Sequence, residues 1–264
     1  MPQYSATISV MLKTVRKATK GLIRDFGELE NLQVSRKGTK DFVSTADLKA
    51  EKILVEELQK ARPKFGFLNE EGGEIKGEDS SFRWVIDPLD GTINFLHGTP
   101  FFCTNLALEQ THPNGKREII AAVTEVPVLK QTFWAEKGNG AWVELENSNA
   151  RRLRVAARIK TEDSLFCLGS LNSDTTLAAK LAPISSGVRV IGSTALALAF
   201  TAAGYFDGFM QSKTSYWDIA AGILLIKESG GIITNIDNKN ELGDGDSVIA
   251  ANDEMHKILR KNIA

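Results

Sequence analysis

The chain is short of the residues that many catalytic sites are built from. Its 264 residues include two cysteines and three histidines, and no histidine stands in a pattern that makes a zinc ligand or the partner of a nucleophile. His97 follows the Asn94-Phe95 turn, His112 precedes Pro113-Asn114-Gly115, and His256 lies in a C-terminal helical pattern, so structural or solvent roles are expected for all three. There is no Gly-x-x-x-x-Gly-Lys-Ser/Thr loop and no His-Glu-x-x-His, which removes the nucleotide-triphosphatase and zinc-protease readings. No uninterrupted apolar run approaches the roughly 20 residues that a membrane span needs. Residues 5–25 form an amphipathic helical pattern with scattered lysines and arginines rather than an apolar secretory run, so a cytoplasmic location is expected. An excess of one charge is missing as well. The 32 Lys+Arg against 33 Asp+Glu leave a formal net charge of -1, which gives no field suited to nucleic acid or acidic membranes. The basic cluster Arg151-Arg152-Leu153-Arg154, continuing to Arg158 and Lys160, reads as a solvated strand or loop face.

What is present describes an ordinary globular enzyme. With 42% hydrophobic and 25% charged residues the chain can bury a large core, in one or two domains. Cys103 and Cys167 lie in apolar strand-like runs, 101–108 and 164–168, and are expected to be buried thiols in a reducing compartment. Helical periodicity covers residues 5–26, 45–61, 173–181, 193–203, 217–229 and 253–261. Strand-like runs occur at 83–86, 101–108, 119–124, 131–135, 141–145, 165–168, 188–191, 208–211, 232–234 and 248–250. Residues 72–81 read as a mobile, polar loop. The strand-rich middle between mixed ends predicts an α/β fold with two sheets separated by helix layers.

Acidic residues gather at element ends. Asp87-Pro88-Leu89-Asp90-Gly91-Thr92 follows the apolar run Phe82-Arg83-Trp84-Val85-Ile86, which places Asp87 at the carboxyl end of a buried strand, where α/β folds position chemistry. Pro88 removes an amide, Gly91 permits close backbone approach, and the amides of Gly91 and Thr92 open a short helix whose positive end favours an anion. Asn69-Glu70-Glu71-Gly72-Gly73 is a second acidic strand end after Phe65-Gly66-Phe67-Leu68. Asp218 stands where the apolar helical run after Trp217 begins, and Asp47 precedes the helical pattern 48–58. Taken singly, Glu70, Asp218 and Asp47 read equally well as helix caps. Together, carboxylates that collect a hard cation beside amides that collect a phosphate suit hydrolysis of a phosphate ester, a slow reaction accelerated by charge neutralisation and positioning. Carboxylates crowded in this way repel one another without metal, so raised pKa values are expected in the empty site.

These motifs resemble the inositol monophosphatase family, whose Glu-Glu pair, Asp-Pro-x-Asp-Gly-Thr-x-Asn-Phe segment and late Trp-Asp-x-Ala-x-Gly segment all stand here in order. The nearest likeness is to bacterial members of the extragenic-suppressor type, including Tyr205-Phe206-Asp207-Gly208-Phe209. The resemblance implies the layered α-β-α-β-α sandwich of the sugar-phosphatase type (inositol monophosphatase and fructose bisphosphatase). Residues 1–264 would form a single unit, with an N-terminal α+β part to about residue 145 and a C-terminal α/β part from about 146. It implies Mg²⁺, two to three ions, with Mn²⁺ as a substitute. Glu70, Asp87 and the carbonyl of Leu89 would hold the first ion, Asp87, Asp90 and Asp218 the second, and Glu70 would reach a weaker third through water. Thr92 and Asp47 would orient and deprotonate the attacking water, and Glu70 is counted with them as catalytic. Gly91, Thr92 and Asp90 would face the phosphate, and Lys37 matches a lysine near the site.

Gly192-Ser193-Thr194 aligns with a segment on the substrate side and reads equally as a capped helix start before 195–203. Gln211 stands where many family members carry a glutamate that contacts sugar hydroxyls, so it brings an amide without the charge. The implied activity is Mg²⁺-dependent hydrolysis of myo-inositol 1-phosphate or a similar small polyol phosphate, with lithium inhibition and a homodimer. The alternatives are another substrate of the superfamily (a sugar bisphosphate, a nucleotide 3′-phosphate or histidinol phosphate) and a regulatory scaffold contacting a transcription or RNA-processing complex.

Overall fold

A computed structural model of the protein describes residues 4–32, 39–146 and 148–263; Lys37 lies outside them. The chain opens with two long helices, α1 (Ala6–Leu32) and α2 (Thr39–Ala61), and continues with β1 (Phe65–Asn69), β2 (Gly73–Ile75), β3 (Asp79–Asp90) and the short α3 (Thr92–Leu96). A meander follows: β4 (Cys103–Thr111), β5 (Arg117–Val126), β6 (Gln131–Glu136), β7 (Gly140–Leu145) and the two-residue β8 (Arg151–Arg152). The remainder alternates: β9 (Leu165–Leu168), α4 (Leu171–Leu181), β10 (Gly187–Val190), α5 (Thr194–Ala202), β11 (Gly208–Gln211), α6 (Tyr216–Glu228), β12 (Ile232–Thr234), β13 (Val248–Ala251) and α7 (Asp253–Ile263). The first group forms an eight-stranded sheet in the order β2-β1-β3-β4-β5-β6-β7-β8, the second a five-stranded sheet in the order β10-β9-β11-β13-β12.

Strand alternation decides which helices each sheet face receives. Trp84 and Ile86 of β3, with Leu106 and Leu108 of β4, pack on Ile8, Met11 and Val15 of α1 and Leu54 and Leu58 of α2. Their neighbours Val85, Cys103 and Ala107 face the other way, onto Leu196 and Leu198 of α5 and Ile219 and Leu225 of α6. The same α5 and α6 residues meet Cys167, Phe209, Val248 and Ala250 of the second sheet, whose far face (Phe166, Leu168, Met210, Ile249) is covered by Leu181, Met255 and Leu259. The layers therefore run α1/α2, sheet, α5/α6, sheet, α4/α7, which is the α-β-α-β-α sandwich expected. Each fully buried Leu, Ile or Phe in these layers contributes about 1.5–3 kcal/mol. The middle helices must be apolar all round because both sides are covered, and eight of the nine α5 residues are buried.

Several boundaries differ from the periodicity. Residues 72–81 do not form a loop: Gly73–Ile75 turns back as β2 and pairs antiparallel with β1, and β3 already begins at Asp79. Gly73 takes φ 68 at this reversal, a conformation its missing Cβ permits. Helix α2 starts at Thr39, ahead of the 45–61 periodicity, so Asp47 is an interior helical residue and its cap reading is not realised. Both cysteines are buried free thiols. The arginine cluster begins in the exposed edge strand β8, where Arg151 donates to the Tyr205 hydroxyl at 2.7 Å; beyond that strand, Arg158 pairs with buried Asp207 at 2.7 Å. His256 is buried against the Thr234 hydroxyl (2.9 Å), in agreement with a structural role.

Candidate active site

Segments from four parts of the chain converge at the carboxyl end of β3. The alternation that sends Val85 toward α5 and α6 sends Asp87 the same way, and it is 1% exposed. Pro88 has no amide for the ladder, and the β3–β4 register shifts between Asp87 and Asp90. The freed backbone is tied down locally. Asp87 Oδ1 accepts the Leu89 amide (3.0 Å), the Thr104 hydroxyl donates to the Pro88 carbonyl (2.8 Å), and the Thr92 hydroxyl donates to the Leu89 carbonyl (3.1 Å). Gly91 takes φ 94 as the N-cap of α3, and a Cβ there would lie 2.8 Å from the Phe101 carbonyl. Only glycine makes this turn without strain.

Asp90 is clasped by the second half of the molecule. Its Oδ2 accepts the Ser193 hydroxyl and the Ala195 amide, each at 2.6 Å, so the start of α5 is bound to a carboxylate, as the helix dipole favours. Ser193 is itself the N-cap of α5, accepting the Leu196 amide at 3.3 Å; its capped-helix reading is realised. The Thr194 hydroxyl donates to Gln211 Oε1 (2.9 Å), and Gln211 Nε2 donates to the Lys213 carbonyl (2.9 Å). Gly192, at φ 72, lies against Asn94, whose amide bridges the Phe101 and Ile191 carbonyls at 2.7 Å each. Asp218 sits in the first turn of α6 behind the N-cap Ser215 and reaches back to the Ser215 amide. Asn105 of β4 fixes that turn by donating to the Trp217 and Asp218 carbonyls (2.7 and 3.3 Å), and its own oxygen accepts the Thr124 hydroxyl at 2.9 Å.

The last contribution comes from α2 and the β1–β2 turn. Asp47, Glu70 and Glu71 each offer an oxygen, all within 4.8 Å of one another. Asp47 is 4% exposed, and its Oδ1 is buried without a hydrogen-bond partner. A buried orphan oxygen is costly, and it leaves Asp47 an acceptor free to take a proton, beside crowded carboxylates that a cation would neutralise. The donor set of carboxylate and carbonyl oxygens, with no thiolate or imidazole, fits a hard divalent ion.

The electrostatics agree with the crowding. Burial, then the charges of Glu70, Glu71 and Glu51, pushes the Asp47 carboxyl up to about 8. Burial, then Asp90 and Glu70, pushes Asp218 up to about 8. Asp87 is raised well above the usual carboxylate range by burial and by Asp90, Glu70 and Asp218, while Glu70 and Asp90 are raised chiefly by burial. The hydrogen bond between Asp87 and Glu70 raises Asp87 and lowers Glu70, so Asp87 holds the proton and Glu70 accepts it as the carboxylate.

All the expected acids (Asp47, Glu70, Asp87, Asp90, Asp218) thus meet at one locus with Leu89, Gly91 and Thr92. Thr92 spends its proton on the Leu89 carbonyl, whereas Asp47 Oδ1 is unpartnered. Sequence reasoning gave no role to Glu51, Glu71, Asn94 or Asn105. Glu51 had a usable signal, its spacing of four from Asp47 on a helix, and Glu71 was half of the Glu-Glu pair. Asn105 had none beyond its inward parity in a strand.

An acidic centre at a glycine-opened helix start, set between the two sheets of a layered sandwich, defines a phosphatase of the sugar-phosphatase class. The chain belongs to the inositol monophosphatase family, whose profile matches residues 3–264. It is similar to the Inositol-1-monophosphatase of Mesorhizobium japonicum, 46% identical over 98% of this chain and 96% of that protein. It is also similar to the Nus factor SuhB of Pseudomonas aeruginosa, 34% identical over 97% of this chain and 95% of that one. Among solved structures, the extragenic suppressor protein suhB of Bartonella henselae superposes with a TM-score of 0.86 at 45% identity, covering 98% of both chains. Among the described residues no helix is long and apolar enough to cross a membrane.

Proposed function

We propose that this phosphatase is a Mg²⁺-dependent phosphomonoesterase for myo-inositol 1-phosphate or a similar small polyol phosphate. The observation that carries the reading is the convergence of Asp47, Glu70, Asp87, Asp90 and Asp218 from four segments on one locus, with an unpartnered buried oxygen on Asp47. Glu70, Asp87 and the Leu89 carbonyl would hold one ion, and Asp87, Asp90 and Asp218 a second. Bound magnesium lowers the pKa of water and neutralises charge on the phosphate. The chain's own residues do the rest. The Gly91 and Thr92 amides receive phosphate oxygens. Thr92, its proton committed to the Leu89 carbonyl, presents lone pairs that orient the attacking water, and Asp47 accepts the water's proton through its free oxygen. The water oxygen bonds to phosphorus, the ester P–O bond breaks, and the alcohol leaves with a proton from solvent. Ser193 acts by holding Asp90 rather than by touching the substrate.

The similarity to an Inositol-1-monophosphatase at 46% identity favours inositol 1-phosphate as substrate. The engagement of Gln211 with Thr194 and Lys213 leaves fewer contacts for sugar hydroxyls, which favours tolerance of other small polyol phosphates. In this reading the chain works as one unit and a homodimer, in the cytoplasm, and is inhibited by lithium. A second reading, a scaffold for transcription machinery, is supported by the name of the 34% identical relative. The deciding experiment measures initial rates of phosphate release from myo-inositol 1-phosphate and other small esters over a magnesium titration, with and without lithium. Magnesium-dependent release supports the enzyme; silence on every ester despite bound magnesium, with capture of RNA polymerase components in a pull-down, supports the scaffold.

A further inference from the structure

We infer that Glu51 is a positioning residue of the acidic site, clamping from α2 the backbone of the turn that carries Glu70 and Glu71. Glu51 stands four residues after Asp47, on the same face of the same helix. It is 7% exposed, a costly place for a carboxylate unless its oxygens are used. They are used on backbone. Oε2 accepts the Glu71 amide at 3.0 Å, and the Gly72 amide is also bonded to this carboxylate. The fit is tight, because a Cβ on Gly72 would lie 2.8 Å from Glu51 Oε1 and 3.3 Å from Asn69 Nδ2.

On its other side the turn is tied to the strand that bears Asp87, through the Glu70 amide and the Ile86 carbonyl at 3.1 Å. The Glu70–Gly72 turn is thus held between β3 and Glu51. One face of α2 supplies both the acid that joins the site, Asp47, and the acid that fixes the height of the turn opposite it. Charged acceptors make the stronger hydrogen bonds to amides, and Glu51 adds no ligand of its own. Its work is to hold the Glu70 and Glu71 carboxylates within reach of Asp47.

The inference rests on the reading of the site as a cation-holding phosphatase centre. Its test is calorimetric titration of magnesium into the full-length wild type, Glu51→Gln and Glu51→Ala, with thermal melts and phosphate release alongside. Loss of a supporting contact behind a ligand weakens metal binding about 10–100-fold. That loss is expected for Glu51→Ala, with Glu51→Gln in between because its amide keeps one acceptor oxygen, and with turnover recovering at high magnesium in both. Unchanged magnesium affinity in both variants overturns the inference, whatever happens to the melting temperature. Glu51→Gln binding no better than Glu51→Ala assigns the effect to lost charge and overturns it too. If Glu51→Ala does not fold, Glu51→Asp, which keeps the charge but cannot reach the Glu71 and Gly72 amides, takes its place: weaker magnesium binding than wild type supports the clamp, and equal binding overturns it. A wild type that binds no magnesium and releases no phosphate sinks the phosphatase reading itself, whereas a binding wild type with equally binding variants removes only Glu51.

Discussion

Replacing Asp218 by asparagine should stabilise the metal-free protein at alkaline pH while destroying its turnover. Burial and the charges of Asp90 and Glu70 raise this carboxyl from 3.8 to about 8. Between those values it is protonated in the fold and ionised in the unfolded chain. The folded form therefore suffers no cost below the unfolded pKa, a growing cost through the window, and the full cost above about 8. At about 1.36 kcal/mol per pH unit, a rise from 3.8 to about 8 sets a ceiling of about 6 kcal/mol. Asp47 also rises to about 8, and Glu70, Asp87 and Asp90 move the same way. A proton taken up by one relieves its neighbours, so a single amide should recover about 2–3 kcal/mol of that ceiling.

In a chain of this size ~1 kcal/mol moves Tm by about 2–4 °C, so Asp218→Asn should melt about 4–12 °C above wild type at pH 8.5. At pH 5 the gap should shrink to a third or less. Calorimetric melts in chelator at pH 5, 7 and 8.5 measure it, and saturating magnesium should reverse the order, since the wild-type carboxylate then gains a cation and the amide does not. Identical pH dependence in the two proteins, or a lower Tm for the variant at pH 8.5, would refute the reasoning.

Asp87→Asn should leave no phosphate release above background while its metal-free melting temperature holds or rises, because the change removes a shared ligand from a repulsive cluster; retained turnover would remove Asp87 from the site. Gly91→Ala forces a side chain into φ 94 and toward the Phe101 carbonyl, at a cost of about 1–3 kcal/mol; chemical unfolding should show that loss together with a drop in kcat, and wild-type values for both would count against the turn as drawn. Asn105→Ala frees the Trp217 carbonyl and orphans the Thr124 hydroxyl, so urea unfolding should report a loss of about 1–3 kcal/mol. An unchanged midpoint there would mean that α6 is held by packing alone.

Two sheets separated by helix layers and acids gathered at element ends were readable from local signals, whereas the α-β-α-β-α order and the joint role of those acids came from the family resemblance of the motifs. The continuous apolar run ending at Ile86 placed Asp87 at the end of a buried strand, and Pro88 with Gly91 announced the break that follows. The 72–81 segment was misread because a three-residue strand leaves almost no periodicity, and its pairing with β1 is set by the reversal at Gly73 rather than by apolar content. Asp47 was open to a cap reading because the apolar spacing begins only at Leu48, whereas the helix is carried back to Thr39, beyond the 45–61 periodicity. What local signals could not supply were the contacts between distant segments. Ser193 on Asp90 joins residues 103 positions apart, and Asn105 on Trp217 joins residues 112 apart. Such pairs exist only once both sheets are stacked, and no window of sequence contains them.

The clasp of Asp90 by the start of α5 has a consequence for how the protein is made. Thr92 and Asp218 stand 126 positions apart, a stretch that a ribosome adding about 5–20 residues per second needs roughly 6–25 s to produce. Throughout that interval Glu70, Asp87 and Asp90 have been synthesised without the last acid of the site, and for most of it without the helix start that completes their surroundings. The emerging chain therefore carries a half-built, mutually repelling acidic edge, and its closure onto α5 and α6 is a late, long-range step of folding. A substitution that weakens the clasp should show itself first as a lower yield of newly synthesised protein, before any loss is visible in the rate of the finished enzyme.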